Sequence, residues 1–162
     1  EGATPILHAA RRGEPAIFSA LVRGMRSRMN SQQVQILLKA TDRCGRSVLA
    51  MAARGGNGNV FLQALDFLKE EFTDDQVKEI MKTNDANGLS LLSLVAGYGG
   101  KNAFQTVLGA LHEALDGNEV KTMQMSCDDD ENSVLVLAAR NKSPDVFGAV
   151  MSGIENDVTP QE

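Results

Sequence analysis

Apolar and polar positions along this chain recur with a period of 43 residues, without a gap. Thr4, Ser47, Ser90 and Ser133 form one column, and Phe18, Phe61, Phe104 and Phe147 form another. Four of the six phenylalanines share that column, which chance does not readily produce. Apolar columns run through Ile6/Leu49/Leu92/Leu135 and Ala10/Ala53/Ala96/Ala139, and polar ones through Ala16/Asn59/Asn102/Asp145. A fixed period of this length is the mark of a repeat architecture, in which each unit buries its apolar face only against its neighbours.

Within a unit the spacing predicts three helices. The first opens on the Thr or Ser column and runs through paired alanines, as in Ser47-Val48-Leu49-Ala50-Met51-Ala52-Ala53. At Thr4-Pro5 a hydroxyl is expected to cap free N–H groups, with proline at the first helical position, where its missing N–H costs nothing. Adjacent alanines allow the next helix a close approach. The second helix is expected to be capped by Asn59, Asn102 and Asp145. Its apolar residues recur at helical spacing: Val60, Phe61, Ala64, Leu65 and Leu68. The third begins at capping boxes, Asn30/Gln33, Thr73/Gln76, Asp116/Glu119 and Thr159/Glu162, the first three leading into Val34, Val77 and Val120. The predicted fold is all-α, a helical repeat solenoid filling 1–162 as one domain with units at 1–40, 41–83, 84–126 and 127–162. Gly2 stands where Gly45 and Gly88 do, and Thr159–Glu162 opens a third helix with nothing behind it. The chain therefore reads as a piece of something longer.

Composition sharpens this in two ways. Aromatic residues are only 4%, with one Tyr and no Trp, so the core is expected to be aliphatic. No apolar run approaches the roughly 18 residues that span a bilayer. The net charge of −5 disfavours nonspecific nucleic-acid binding. Its distribution is uneven: residues 1–40 carry six bases and two acids, whereas residues 127–162 carry two bases and eight acids. Cys44 and Cys127 make no disulfide framework and point to a reducing compartment, so an intracellular, most simply cytoplasmic, protein is expected. An organelle stays open, because the true N-terminus is not visible.

The stretch Asp42-Arg43-Cys44-Gly45-Arg46-Ser47-Val48-Leu49-Ala50-Met51-Ala52-Ala53 resembles the ankyrin signature D-x-x-G-x-T-P-L-H-x-A-A. Asp85-Ala86-Asn87-Gly88-Leu89-Ser90-Leu91-Leu92 is similar to it. Thr4-Pro5-Ile6-Leu7-His8-Ala9-Ala10 keeps the Thr-Pro and the alanines, and Asp128 to Ala139 follows with Glu131 in place of glycine. Three features depart from the family. Ankyrin units are about 33 residues long; the motif histidine is replaced by Leu7, Ala50, Ser93 and Val136; and only the first unit has the proline. A three-helix unit of this length also resembles armadillo repeats. The Asp-x-x-Gly turn before the hydroxyl cap favours ankyrin. Both resemblances imply a stacked surface that binds proteins.

No residue set carries catalytic chemistry. His8 and His112 lie far apart in sequence, and neither has a nucleophile pattern beside it. Asp128-Asp129-Asp130-Glu131 lacks the alternation, central glycine and distal glutamate of a calcium loop, and reads as a solvated acidic tip. Gly55-Gly56-Asn57-Gly58 lacks the Gly-Lys-Ser/Thr of a phosphate loop and reads as a turn between helices. Helices pack about 8–10 Å apart, so cysteines nearly two units apart stand roughly 20 Å from one another. A disulfide needs about 7 Å, and none is expected between Cys44 and Cys127.

The ankyrin resemblance implies binding through the turn tips and the concave side of the first helices. By position the tips are Arg43, Cys44 and Arg46; Ala86, Asn87 and Leu89; and Asp129, Asp130 and Glu131. The concave column is His8, Met51, Leu94 and Leu137, with Tyr98 near the same groove. That column is either an exposed apolar ridge or ordinary core, according to the curvature the third helix imposes. Arg11, Arg12, Arg43, Arg46 and Arg54 are expected to form a basic zone facing an acidic one. The expected function is a non-catalytic protein-interaction module or scaffold, with no cofactor and another protein or complex as partner. The alternatives are a structural subunit of a multi-protein complex and a regulatory segment of an enzyme whose catalytic part lies elsewhere.

Overall fold

A computed structural model of the chain describes residues 4–158. Within them the protein is all-helical, with one isolated bridge between Cys127 and Ser133 and no strand. The helices come in threes: α1 (Pro5–Arg12), α2 (Pro15–Arg28), α3 (Ser31–Lys39); α4 (Val48–Gly55), α5 (Gly58–Glu71), α6 (Asp74–Lys82); and α7 (Leu91–Tyr98), α8 (Lys101–Ala114), α9 (Gly117–Met125). They end with α10 (Val134–Arg140) and α11 (Pro144–Val158). First helices begin at 5, 48, 91 and 134, and second helices at 15, 58, 101 and 144, so the starts keep the 43-residue spacing of the sequence.

Local chemistry fixes most of these starts. Ser47, Ser90 and Ser133 each accept a bond from the N–H three residues on, which satisfies one of the orphan donors at a helix N-terminus. Thr4 occupies the same position with Pro5 behind it, but its hydroxyl makes no capping bond, contrary to expectation. The capping boxes Asn30/Gln33, Thr73/Gln76 and Asp116/Glu119 are complete in both directions. Thr159/Glu162 lies outside the described residues. The caps expected for the second helices need correction. These helices begin earlier, with Asn57 capping α5 by accepting from Asn59 N–H, Gly100 preceding α8, and α11 starting at Pro144. Asn59, Asn102 and Asp145 are in the first turns.

Packing follows the same order. α1, α4, α7 and α10 lie side by side, and α2, α5, α8 and α11 form a second row against them. The third helices brace the second row, α3 against α5 and α9 against α8 and α11. Neighbouring helices of the first row come close where the contact residue is small. A Cβ on Gly55 would stand 2.7 Å from the carbonyl oxygen of Arg11, so the backbones of α1 and α4 nearly touch there. Phe18, Phe61 and Phe104 are buried along the seam between second helices, the Phe104 ring lying 3.7 Å from the Cβ position of Gly153 on α11. Phe147, in the same column, is 42% exposed, and Ala139 is exposed too, because no described helix follows to cover them.

No helix among the described residues is long and apolar enough to cross a membrane.

Candidate functional site

Three connecting turns line one edge of the molecule, and a single aspartate builds each. Asp42 Oδ1 accepts from the N–H groups of Cys44 and Arg46, both at 2.9 Å. Asp85 Oδ1 does the same for Asn87 and Leu89, at 2.9 and 3.0 Å, and Asp128 Oδ1 for Asp130 and Asn132, at 3.1 and 2.7 Å. The fourth residue of each turn has a left-handed backbone: Gly45 at φ 71°, Gly88 at 76° and Glu131 at 62°. Glycine adopts this conformation freely, whereas a side chain there costs about 1–2 kcal/mol. Glu131→Gly is therefore expected to raise stability by about 1 kcal/mol, read as a higher urea midpoint. An unchanged or lowered midpoint would mean that the glutamate side chain offsets its own strain.

The turns are joined to one another. Ala86 N–H donates to the Cys44 carbonyl at 2.7 Å, and Asp129 N–H donates to the Asn87 carbonyl at 3.0 Å. Arg46 Nε donates to Asp85 Oδ2 at 2.9 Å, with Asp42 Oδ2 at 3.6 Å on its other side. Burial disfavours the Arg46 charge, but the bond to Asp85 and the negative potential of the Asp85 and Asp42 carboxylates work against it, and the pKa is raised above the ordinary arginine value. For Asp128, burial again works against the charge. Hydrogen bonds from Asn132 side chain and backbone and from Asp130 N–H, with the charge of Arg140, hold its carboxyl below the usual range.

Between the turns and the first-helix row runs a groove of about 460 Å³. Arg46, Asn87, Leu89 and Asp130 line it on the turn side, and Tyr98, Leu137 and Arg140 on the helix side. Tyr98 is 54% exposed, and its ring carries the Arg54 guanidinium at 4.7 Å, a cation–π contact.

The expected tip residues divide. Arg43, Ala86, Asn87, Asp129, Asp130 and Glu131 are exposed and Cys44 is half-buried, so these tips reach solvent. Arg46 and Leu89 do not. Both are buried, Arg46 reaching across to Asp85 of the next turn. Arg46 is thus a structural cation and not part of an open basic zone. Arg11 and Arg12 are exposed, while Arg54 is half-buried against Tyr98.

The concave column divides as well. His8 is exposed and Leu137 half-buried, but Met51 and Leu94 are core residues, so there is no continuous apolar ridge. Met51 and Leu94 have first helices on both sides, whereas His8 and Leu137 lie in the outermost two.

Cys44 and Cys127 are free thiols in separate turns. Among the described residues no group of three His, Cys, Asp or Glu side chains could hold a metal ion. His112 faces Asp157 at 3.3 Å across α8 and α11, away from the groove.

Two groove residues escape sequence reasoning. Arg140 ends α10 in the place of Arg11, Arg54 and Gly97, a column too mixed to mark a site. Asn132 sits in the column of Arg46 and Leu89, and only its bonds to Asp128 reveal its role.

No protein-family model matches the chain, and no curated protein is significantly similar to it. Among solved structures, one of a predatory endopeptidase from Bdellovibrio bacteriovorus in complex with an immunity protein aligns with 94% of this chain and 99% of that one. The identity is 16% and the TM-score 0.30, a likeness that establishes neither a shared fold nor a shared function.

Proposed function

We propose that the chain is a non-catalytic helical repeat solenoid of ankyrin-like kind that binds a segment of another protein in the groove between its turn tips and first helices. The equal spacing of the helix starts supports the repeat reading, and the Asp-x-x-Gly turns ahead of the hydroxyl caps support the ankyrin resemblance. One observation carries the binding role. Tyr98, the sole tyrosine, stands half in solvent inside a groove whose walls present Arg140 on one side and Asp130 on the other. An aromatic ring held in place by a stacked guanidinium loses little freedom on binding, and such residues are frequent anchors of interfaces. The partner segment that suits this groove carries an apolar side chain for Tyr98 and Leu137. It is flanked by charges of both signs, for Arg140 and for Asp130.

The test compares proteins captured from a lysate of the source organism by three chains. These are the wild type, the groove variant Tyr98→Ala with Arg140→Glu, and a control changed on α9, Lys121→Glu. A specific partner is expected to bind the wild type and the control equally. It should bind the groove variant at least roughly tenfold more weakly, as loss of an anchor worth about 2 kcal/mol requires. Equal capture by all three chains, with unchanged melting, would remove the groove from the binding surface.

A further inference from the structure

We infer that the partner segment is an acidic polyproline II helix laid across the ends of α1, α4, α7 and α10. This rests on the groove reading above and extends it along the row of first helices. Arg11, Arg54 and Arg140 hold equivalent places in the last turns of α1, α4 and α10, and Gly97 holds that place in α7. The four ends abut. A Cβ on Gly55 would stand 2.8 Å from the Ala10 carbonyl oxygen, and one on Gly56 would stand 3.0 Å from Gly99 Cα. Between α7 and α10, Asn141 Nδ2 donates to the carbonyls of Ala96 and Gly99, at 2.7 and 2.8 Å. Equivalent residues therefore stand in one line, three guanidiniums with a bare glycine in third place. Arg11 and Arg140 are exposed. Neither Arg11 nor Arg54 pairs with a carboxylate among the described residues, and the buried Arg54 Nε has no acceptor. At the glycine, an added Cβ would meet Leu137 Cβ at 3.8 Å, an ordinary contact, so a guest side chain has room there.

Spacing selects the conformation of the guest. Packed helices stand about 8–10 Å apart. A polyproline II helix has three residues per turn and advances roughly 9 Å in each, so every third side chain falls on one face at that interval. A β-strand does not match, because its third residue points to the opposite face. The segment that fits has acids at its first, fourth and tenth positions, for Arg11, Arg54 and Arg140. Its seventh residue is apolar and lies over Gly97, beside Tyr98 and Leu137. Being extended before it binds, such a segment loses little backbone freedom on docking. A nucleic-acid strand suits the line less well. It carries a charge on every residue, which the uncharged place at Gly97 and the Asp130 carboxylate in the groove wall oppose.

Two labelled proline-rich decapeptides test this by fluorescence anisotropy. One has glutamate at its first, fourth and tenth positions and leucine at its seventh; the other is its reversal, since the line of charges fixes no chain direction. At least one is expected to bind saturably, and less tightly as salt rises. Arg11→Glu is expected to weaken that peptide by roughly tenfold. Lysine in place of the glutamate at the Arg11 end should restore the affinity of this variant. Arg11 is a surface residue, so an unchanged melting temperature is the folding control, and Arg11→Gln serves if the reversal misfolds. A thymidine oligonucleotide of equal length is expected to bind at least about tenfold more weakly than the peptide. No saturable binding by either peptide overturns the inference, and so does equal binding by a folded Arg11 variant. Equal binding of the oligonucleotide overturns it too, by making the row a general anion site. The groove reading outlives these failures if Tyr98→Ala with Arg140→Glu still loses its lysate partner. Undiminished capture by that variant brings down both.

Discussion

Replacing Phe61 with alanine is expected to destabilise the chain by about 3–5 kcal/mol, the usual cost of emptying a fully buried phenylalanine site. Phe61 has no exposed surface and sits midway along the seam of second helices, where α5 meets α8. Removing the ring withdraws apolar surface and leaves a cavity that helices tethered at both ends cannot readily close. Domains of ordinary stability hold only about 5–15 kcal/mol in reserve, so this one change consumes a large share. On the proposed repeat architecture the loss falls on the interface between the second and third units, and it can show as a broadened or two-step unfolding curve. Urea denaturation followed by helicity measures it. Phe147→Ala is the matched control, since its ring is already 42% exposed, and should cost well under half as much. Equal and small effects at both positions would show that the phenylalanine column is not what holds the units together.

The second large effect is expected at Asp85. Its side chain is fully buried, receives Arg46 Nε at 2.9 Å, and also accepts the N–H groups of Asn87 and Leu89. Asp85→Ala leaves the buried Arg46 charge with only Asp42 Oδ2, at 3.6 Å, and frees two turn donors at once. Breaking a buried pair from one side typically costs about 3–5 kcal/mol. Asp85→Asn separates the contributions, because its amide oxygen can still accept from the turn while the charge is gone. It should fall between wild type and Asp85→Ala. Adding Arg46→Met to Asp85→Asn should recover part of the loss, since replacing both members of a buried pair is far cheaper than removing one. A wild-type-like melt for Asp85→Ala would mean that the turns do not couple the units.

How far the sequence discloses these features depends on whether a position has the same surroundings in every unit. The starts of the first and third helices are legible, since Ser47, Ser90 and Ser133, and the boxes at Asn30, Thr73 and Asp116, cap by local chemistry alone. The second helices mislead. Glu14, Asn57, Gly100 and Ser143 precede them, four residues with little in common, while the more uniform column two positions later lies inside the first turn. The proposed binding surface is legible only at its outermost residues. Arg43, Asn87 and Asp129 protrude because nothing follows them in the turn but a reversal of the chain. Arg46 is drawn in by its bond to Asp85, 39 positions away, which no local pattern contains. His8 and Met51 share a column yet differ in exposure, since a place at the end of a row and a place within it are different environments.

The stacking of Arg54 on Tyr98 has one more consequence. With a single tyrosine and no tryptophan in the chain, the near-ultraviolet absorption and emission of this protein are dominated by one ring, and that ring lies in the proposed groove. The molecule therefore carries its own optical reporter of groove occupancy. A guest that displaced the guanidinium or shielded the phenol from water would announce itself spectroscopically, without any label.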